Sequence, residues 1–217
     1  MQITNNLNND ISAAPEWFNQ AINIKPSEKI LESEKGPLSY SIWPTQSKNK
    51  NLLIFIHGTG AHKKWWYPIA PQFINYSNVI AIDLPGMGDS GFRQKYSIKD
   101  FGQCVISIIE KEKSNLDIDN IFIVGHSLGG QVAGYVASEE KELVSNLIMI
   151  DTFIRPPDWD PSQNEGGPLR MIKYYSDKTT ILKRFRLLPQ QECENEWFVR
   201  YIAVSYTHLT LPTRYRV

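Results

Sequence analysis

The sequence has few cysteines and no excess of charge of either sign. Its 217 residues include two cysteines, Cys104 and Cys193, which lie far apart and do not form a pair with metal-ligand spacing. Cys104 falls in an apolar helical stretch, which predicts a buried free thiol. Lysine and arginine number 23 and so do aspartate and glutamate, so the formal net charge is zero. A neutral chain gives no support for nucleic-acid binding, and we expect no nucleic-acid partner.

Long apolar runs are also missing. No apolar stretch approaches the roughly 20 residues that a membrane-spanning helix needs. The first ten residues, Met1 to Asp10, are polar and lack the basic and apolar regions of a signal peptide. We therefore expect no membrane partner and a cytoplasmic location.

The most informative stretch present is centred on Ser127. Residues 121–124 are all apolar and three of them are β-branched, which predicts a strand buried on both faces. The next five, Gly125-His126-Ser127-Leu128-Gly129, match the pattern Gly-x-Ser-x-Gly, and residues 131–140 have helical composition. The order of strand, tight turn and helix is the context in which this pattern marks a nucleophilic serine. The alternative is a glycine-rich turn without chemistry.

The geometry of such a turn explains its composition. A chain that passes from strand to helix in so few residues holds the middle residue, Ser127, in a strained conformation with its hydroxyl exposed. Gly125 and Gly129 are needed because a Cβ at either position would collide with a neighbouring strand or helix. The helix directs its free N–H groups at the same place, so the N–H of Leu128 is a candidate donor to an oxyanion.

Three further strands are predicted, and chemistry-bearing residues follow each of them. Residues 51–56 lead into His57-Gly58-Thr59-Gly60, and residues 78–83 lead into a glycine-rich turn that ends at Ser90. The third strand, residues 146–151, ends at Asp151. With helices between them, these strands predict an α/β fold whose parallel sheet places ligands at its carboxyl edge. Residues 29–43 predict an antiparallel hairpin beside that sheet.

These motifs, in this order, resemble the α/β-hydrolase superfamily over roughly residues 37 to 203. The resemblance is to its serine-nucleophile branch, which includes esterases, haloperoxidase-like proteins and carbon–carbon bond hydrolases. It implies a mostly parallel sheet with flanking helices, a small-molecule ester or similar acyl substrate, and no metal or organic cofactor. Dehalogenases and epoxide hydrolases of this fold use an aspartate nucleophile, so Ser127 argues against both.

The resemblance also implies roles for individual residues. The second oxyanion donor is the backbone N–H of Thr59, and Gly58 allows the close approach. His57 is interpreted as a residue that ties this loop together, and Asp83 as a turn-stabilising carboxylate, because acids of this fold follow the nucleophile in sequence. Asp151 is the candidate catalytic acid, with a loop-stabilising carboxylate as the alternative.

The chain divides into three regions on this interpretation. Residues 1–154 are the hydrolase core, residues 155–204 form a partial helical cap, and residues 205–217 resemble a non-native tail. Two strands that the family places after the cap do not appear, so we expect an incomplete fold and an inactive chain. Ser127, Asp151 and His208 follow the order of nucleophile, acid and base, but no strand–helix–strand pair separates the last two.

Two functions remain open at this point. The first is a serine hydrolase that acts through Ser127 and an oxyanion hole. The second is a non-catalytic protein of the same fold that binds a small molecule and lacks a working triad. A strand followed by a Gly-His-type sequence, read past Val204 in the coding sequence, would favour the enzyme. The sequence makes no prediction of oligomeric state.

Overall fold

A computed structural model describes residues 14–45, 48–154 and 195–205. Within these residues six strands form one sheet. The strands are β1 (Ser27–Leu31), β2 (Leu38–Trp43), β3 (Asn51–Ile56), β4 (Asn78–Ile82), β5 (Asn120–His126) and β6 (Asn146–Ile150).

The strand order is β1-β2-β4-β3-β5-β6. Neighbours among β4, β3, β5 and β6 run parallel, whereas β1 and β2 form an antiparallel hairpin that joins the sheet at β4. The mostly parallel sheet and its antiparallel edge are therefore confirmed. Ile56 of β3 pairs with Gly125 of β5 and with Ile82 of β4, so the loops that follow these strands leave from one edge.

Four helices lie within the described residues. They are α1 (Glu16–Asn23), α2 (Ile98–Lys113), α3 (Leu128–Glu139) and α4 (Glu196–Ser205), with short 3-10 turns at Lys63–Trp66 and Ala70–Phe73. Ser97 caps α2, because its Oγ accepts a hydrogen bond from the N–H of Asp100 at 3.0 Å. Helix α3 begins earlier than the pattern at residues 131–140 predicts, because Ser127 itself is its N-cap residue.

Both faces of the sheet are covered by apolar side chains. One face packs against α2 and α3 around Ile54, Ile80 and Ile123, and the other packs under the 3-10 turns around Phe55 and Val79. All six residues of β2 are buried, so this strand is central although it belongs to the hairpin. Burial on both faces explains the continuous apolar runs of β3 and β4.

Helix α4 packs on α1 through aromatic rings. The ring of Phe18, which is fully buried, lies 4.5 Å from the ring of Trp197 and 5.5 Å from that of Tyr201. Phe18 thus anchors α1 against α4. Helix α4 lies at the end of residues 155–204, the region interpreted as a partial helical cap, and extends to Ser205.

Several predictions fall on residues that are not described. These are the part of the cap region at residues 155–194, which includes Cys193, and the tail from residue 206 onward. Cys104 is a buried free thiol, as predicted. No helix within residues 14–45, 48–154 and 195–205 combines the length and apolar character that a membrane span requires.

Candidate active site

Ser127 occupies the turn between β5 and α3 in a strained backbone conformation that must be stabilised by its surroundings. Its φ is 51° and its ψ is −117°, in a region that side-chain-bearing residues rarely enter. The Ser127 N–H donates to the carbonyl of Ile150 at 2.9 Å, and the Ser127 carbonyl accepts from the N–H of Gly130 at 2.9 Å. Contacts to β6 and to α3 therefore offset the backbone strain and fix the serine at the carboxyl edge.

The two flanking glycines are required by contacts with the backbone. A Cβ added to Gly125 would lie 2.3 Å from the carbonyl oxygen of Gly129, and one added to Gly129 would lie 2.4 Å from that of Ile56. Backbone atoms cannot move aside as a flexible side chain can. The steric reason given above for these glycines is confirmed, and it shows that α3 starts in direct contact with β3.

The loop after β3 reaches the same place. A Cβ added to Gly58 would lie 3.2 Å from the Cβ of Ser127 and 2.8 Å from Nδ1 of His126. The backbone N–H of Thr59 follows in this loop, and that of Leu128 opens α3. Within the described part of the chain, neither N–H has a hydrogen-bond acceptor. The structure thus brings the Gly58 backbone against Ser127, with Thr59 next in the same loop and Leu128 next in the chain.

His57 ties the start of this loop to the end of β4. Its Nε2 accepts a hydrogen bond from the N–H of Leu84 at 3.1 Å, so the proton lies on Nδ1, which donates to the carbonyl of Gly58 at 2.8 Å. The residue is buried, and burial lowers the pKa of His57, which keeps the ring neutral. The interpretation of His57 as a structural histidine is confirmed, because both ring nitrogens are engaged.

Asp83 and Ser90 stabilise the turn after β4 as predicted. The Ser90 Oγ donates to the carbonyl of Asp83 at 2.7 Å, and the Asp83 carboxylate accepts from the N–H of Asp89 at 2.9 Å. Gly86 and Gly88 have positive φ values of 77° and 57°. These bonds give the buried Asp83 carboxylate a structural role within its turn.

Asp151 lies at the carboxyl edge of the sheet, as predicted, and its side chain is near that of His126. It follows β6 with a positive φ of 45°, and its side chain is 90% exposed. Its Oδ2 is 3.9 Å from Nε2 of His126, the residue before Ser127. Sequence reasoning assigned no role to His126, because nothing in its local pattern separates it from the other residues of the turn.

The remaining described histidine, His62, is also engaged. Its Nδ1 accepts from the N–H of Lys64 at 3.3 Å, and its Nε2 lies 3.0 Å from the Oγ of Ser205 in α4. Burial lowers the pKa of His62 to about 3. In the ranges that the structure covers, no histidine forms a hydrogen bond with the Ser127 hydroxyl, and His208 lies outside them.

Comparison with known proteins agrees with this geometry. A family model described as the alpha/beta hydrolase fold matches residues 51–214. The chain is 31% identical over 131 residues to a pimeloyl–acyl-carrier-protein methyl ester esterase of Pseudoalteromonas atlantica, which is 57% of this chain and 48% of that enzyme. It is 32% identical over 104 residues to a soluble epoxide hydrolase of Corynebacterium sp. (strain C12), which is 46% of this chain and 34% of that enzyme.

A solved structure supports the same fold. The thioesterase domain from a curacin biosynthetic pathway superposes with a TM-score of 0.63 at 22% sequence identity, over 82% of this chain and 64% of that one. At this identity the likeness concerns the fold alone. The chain spans about half of the length of the first curated relatives it matches, or less.

Proposed function

The chain belongs to the alpha/beta hydrolase fold family, and we propose that it is a serine hydrolase that cleaves an ester or a similar acyl compound of small size. One observation carries this proposal. Ser127 is held at a positive φ at the start of α3, with the Gly58 backbone packed against its Cβ. A nucleophilic serine needs this arrangement, in which an exposed hydroxyl lies beside unpaired backbone N–H groups.

The proposed reaction proceeds through an acyl-enzyme. The Ser127 Oγ attacks the carbonyl carbon while a histidine accepts its proton, and the resulting oxyanion accepts hydrogen bonds from the N–H groups of Thr59 and Leu128. The intermediate collapses as the bond to the leaving alcohol breaks, and the histidine returns the proton to that alcohol. Water then repeats the attack on the acyl-enzyme, releases the acid and restores Ser127.

The assignment is tested by covalent labelling. A fluorophosphonate should react with the full-length protein, and mass spectrometry of the digest should locate the adduct on Ser127. The competing function, a binding protein without a triad, is favoured by the absence of a histidine bonded to Ser127 within the described residues. That protein would bind esters reversibly and would form no adduct.

We propose that the catalytic histidine is none of the four in the 217-residue sequence, because the sequence predicts no strand–helix–strand pair between Asp151 and His208. His57 and His62 use both ring nitrogens elsewhere, and His126 is directed at Gly58 and Asp151. The printed chain of 217 residues should then show no turnover of short esters above background, whereas the full-length gene product should be active. Esterase activity of the printed chain that disappears in His208→Ala would contradict this expectation.

Asp151 is the proposed acid, and its replacement tests the role. If its carboxylate orients the histidine, Asp151→Asn should lower kcat by about 10⁴-fold, as the wrong histidine tautomer would dominate. If it only stabilises its loop, the loss should stay within about tenfold. Asp119→Asn, an exposed aspartate at the opposite end of β5, is the matched control and should retain full activity. A small effect for Asp151→Asn would assign the acid to another residue.

A further inference from the structure

A buried lysine lies directly after the loop that carries Thr59. The Lys63 side chain is 1% exposed, and its Nζ lies 3.1 Å from Asp83 Oδ2 and 3.0 Å from Asp89 Oδ2. It also lies 2.6 Å from the Oγ of Ser39 and 3.2 Å from Glu28 Oε2. We refer to these five residues as the Lys63 cluster, in which one ammonium group faces three carboxylates.

Lys63 keeps its charge although its side chain is buried. Burial by itself would lower the pKa of Lys63, but Asp83, Asp89 and Glu28 together outweigh this effect and leave the pKa raised. A buried ammonium and a buried carboxylate are tolerated only when they are paired and hydrogen-bonded. Removal of the ammonium would therefore leave the carboxylate of Asp83, itself 1% exposed, without its closest countercharge.

The cluster is also attached to the loop backbone. The N–H of Lys63 donates to Asp83 Oδ1 at 2.6 Å, so one carboxylate holds both the backbone and the side chain of this residue. At the other end of the loop, His57 accepts from the N–H of Leu84. Both ends of the loop are thus fixed to consecutive residues at the end of β4, and Thr59 lies between them.

We propose that Lys63 is a positioning residue of the oxyanion site: through Asp83 it holds the loop of residues 57–63 where the Thr59 N–H meets the developing oxyanion. The inference rests on the proposed serine hydrolase function. Lys63 does not touch the substrate. It acts through the Asp83 carboxylate, whose hydrogen bond to the Lys63 N–H is supported by the ammonium group beside it.

Lys63→Met in the full-length protein tests the proposal. The substitution keeps the apolar length of the side chain and removes the charge. Because the Thr59 donor matters most in the transition state, kcat should fall by about 10- to 100-fold while KM changes by less than about twofold. Binding of a trifluoromethyl ketone, which forms a tetrahedral adduct with the serine, should weaken by a similar factor.

Lys29→Met is the matched control. Lys29 lies 3.0 Å from both carboxylate oxygens of Glu112, whose side chain is 1% exposed, so its removal also leaves a buried carboxylate without its countercharge. This pair lies between β1 and α2, away from the Thr59 loop. Lys29→Met should lower the melting temperature as Lys63→Met does, but its kcat and its affinity for the ketone should match the wild type.

The outcomes separate this inference from the function on which it rests. If fluorophosphonate does not label wild-type Ser127, the hydrolase function fails. If the wild type is labelled and folded Lys63→Met keeps its kcat and its affinity for the ketone, the positioning role is wrong. If Lys63→Met does not fold, Asp89→Asn replaces it, since this side chain is 53% exposed. It should lower kcat several-fold at constant KM, and an unchanged kcat would overturn the proposal.

Discussion

Ser127→Ala is expected to lower kcat for an ester substrate by about 10⁴-fold or more. The hydroxyl supplies the bond to the acyl group, and none of the described residues near it can replace it. The N–H groups of Thr59 and Leu128 would remain in place, so a small residual rate above the uncatalysed reaction is expected. Ester hydrolysis under saturating substrate measures kcat, and the fluorophosphonate adduct should disappear in the same variant.

The control for this variant is Ser138→Ala on the same helix. The Ser138 side chain is exposed and bonds only the carbonyl of Tyr135 within its own helix, so rate and labelling should match the wild type. Both variants should melt within a few degrees of the wild type, because neither removes a buried contact. Labelling that persists in Ser127→Ala would show that another residue is the nucleophile.

Local features of the chain could be predicted because their causes are local. The strands are short β-branched runs, and the turn at Ser127 is marked by glycines that sit within two residues of it. The steric requirement at Gly129 involves β3, about 70 residues earlier, but a glycine at this position already indicates that another segment approaches closely. Gly58, in the loop after β3, likewise indicates a close approach, which the structure shows to be that of His126 and Ser127.

Long-range polar pairs could not be predicted from the same patterns. Lys63 and Lys64 are adjacent and identical in type, yet the first is buried and the second is partly exposed. Only the three-dimensional path of the loop places Lys63 beside Asp83, which follows 20 residues later. The contact between His126 and Asp151 depends in the same way on the pairing of β5 with β6. Hydrophobic periodicity does not predict such pairs, because neither partner departs from the pattern of its own segment.

Two glycines of α3 offer the sharpest structural test of the site. Gly129 lies in the first turn of the helix, where an added Cβ would be 2.4 Å from the carbonyl oxygen of Ile56 and 2.5 Å from that of His57. Gly134 lies about one and a half turns later. A Cβ added there would lie 3.6 Å from Met149 Cε, which is an ordinary van der Waals distance. The two substitutions to alanine add the same atom to one helix and differ only in what surrounds it.

Gly134→Ala should be neutral or stabilising by up to about 1 kcal/mol, because alanine is the better helix former and its Cβ would make only an ordinary contact with Met149. Gly129→Ala should destabilise by about 1–3 kcal/mol or more, because α3 must move away from β3. That movement displaces Ser127 and the Leu128 N–H from the loop of Gly58 and Thr59, and a shift of about 1 Å lowers kcat by about 100-fold. Urea denaturation measures the first effect and ester turnover the second. Equal stability and equal turnover for the two variants would mean that the helix start is not packed against β3 as closely as the structure has it, and the oxyanion site would then lack its rigid support.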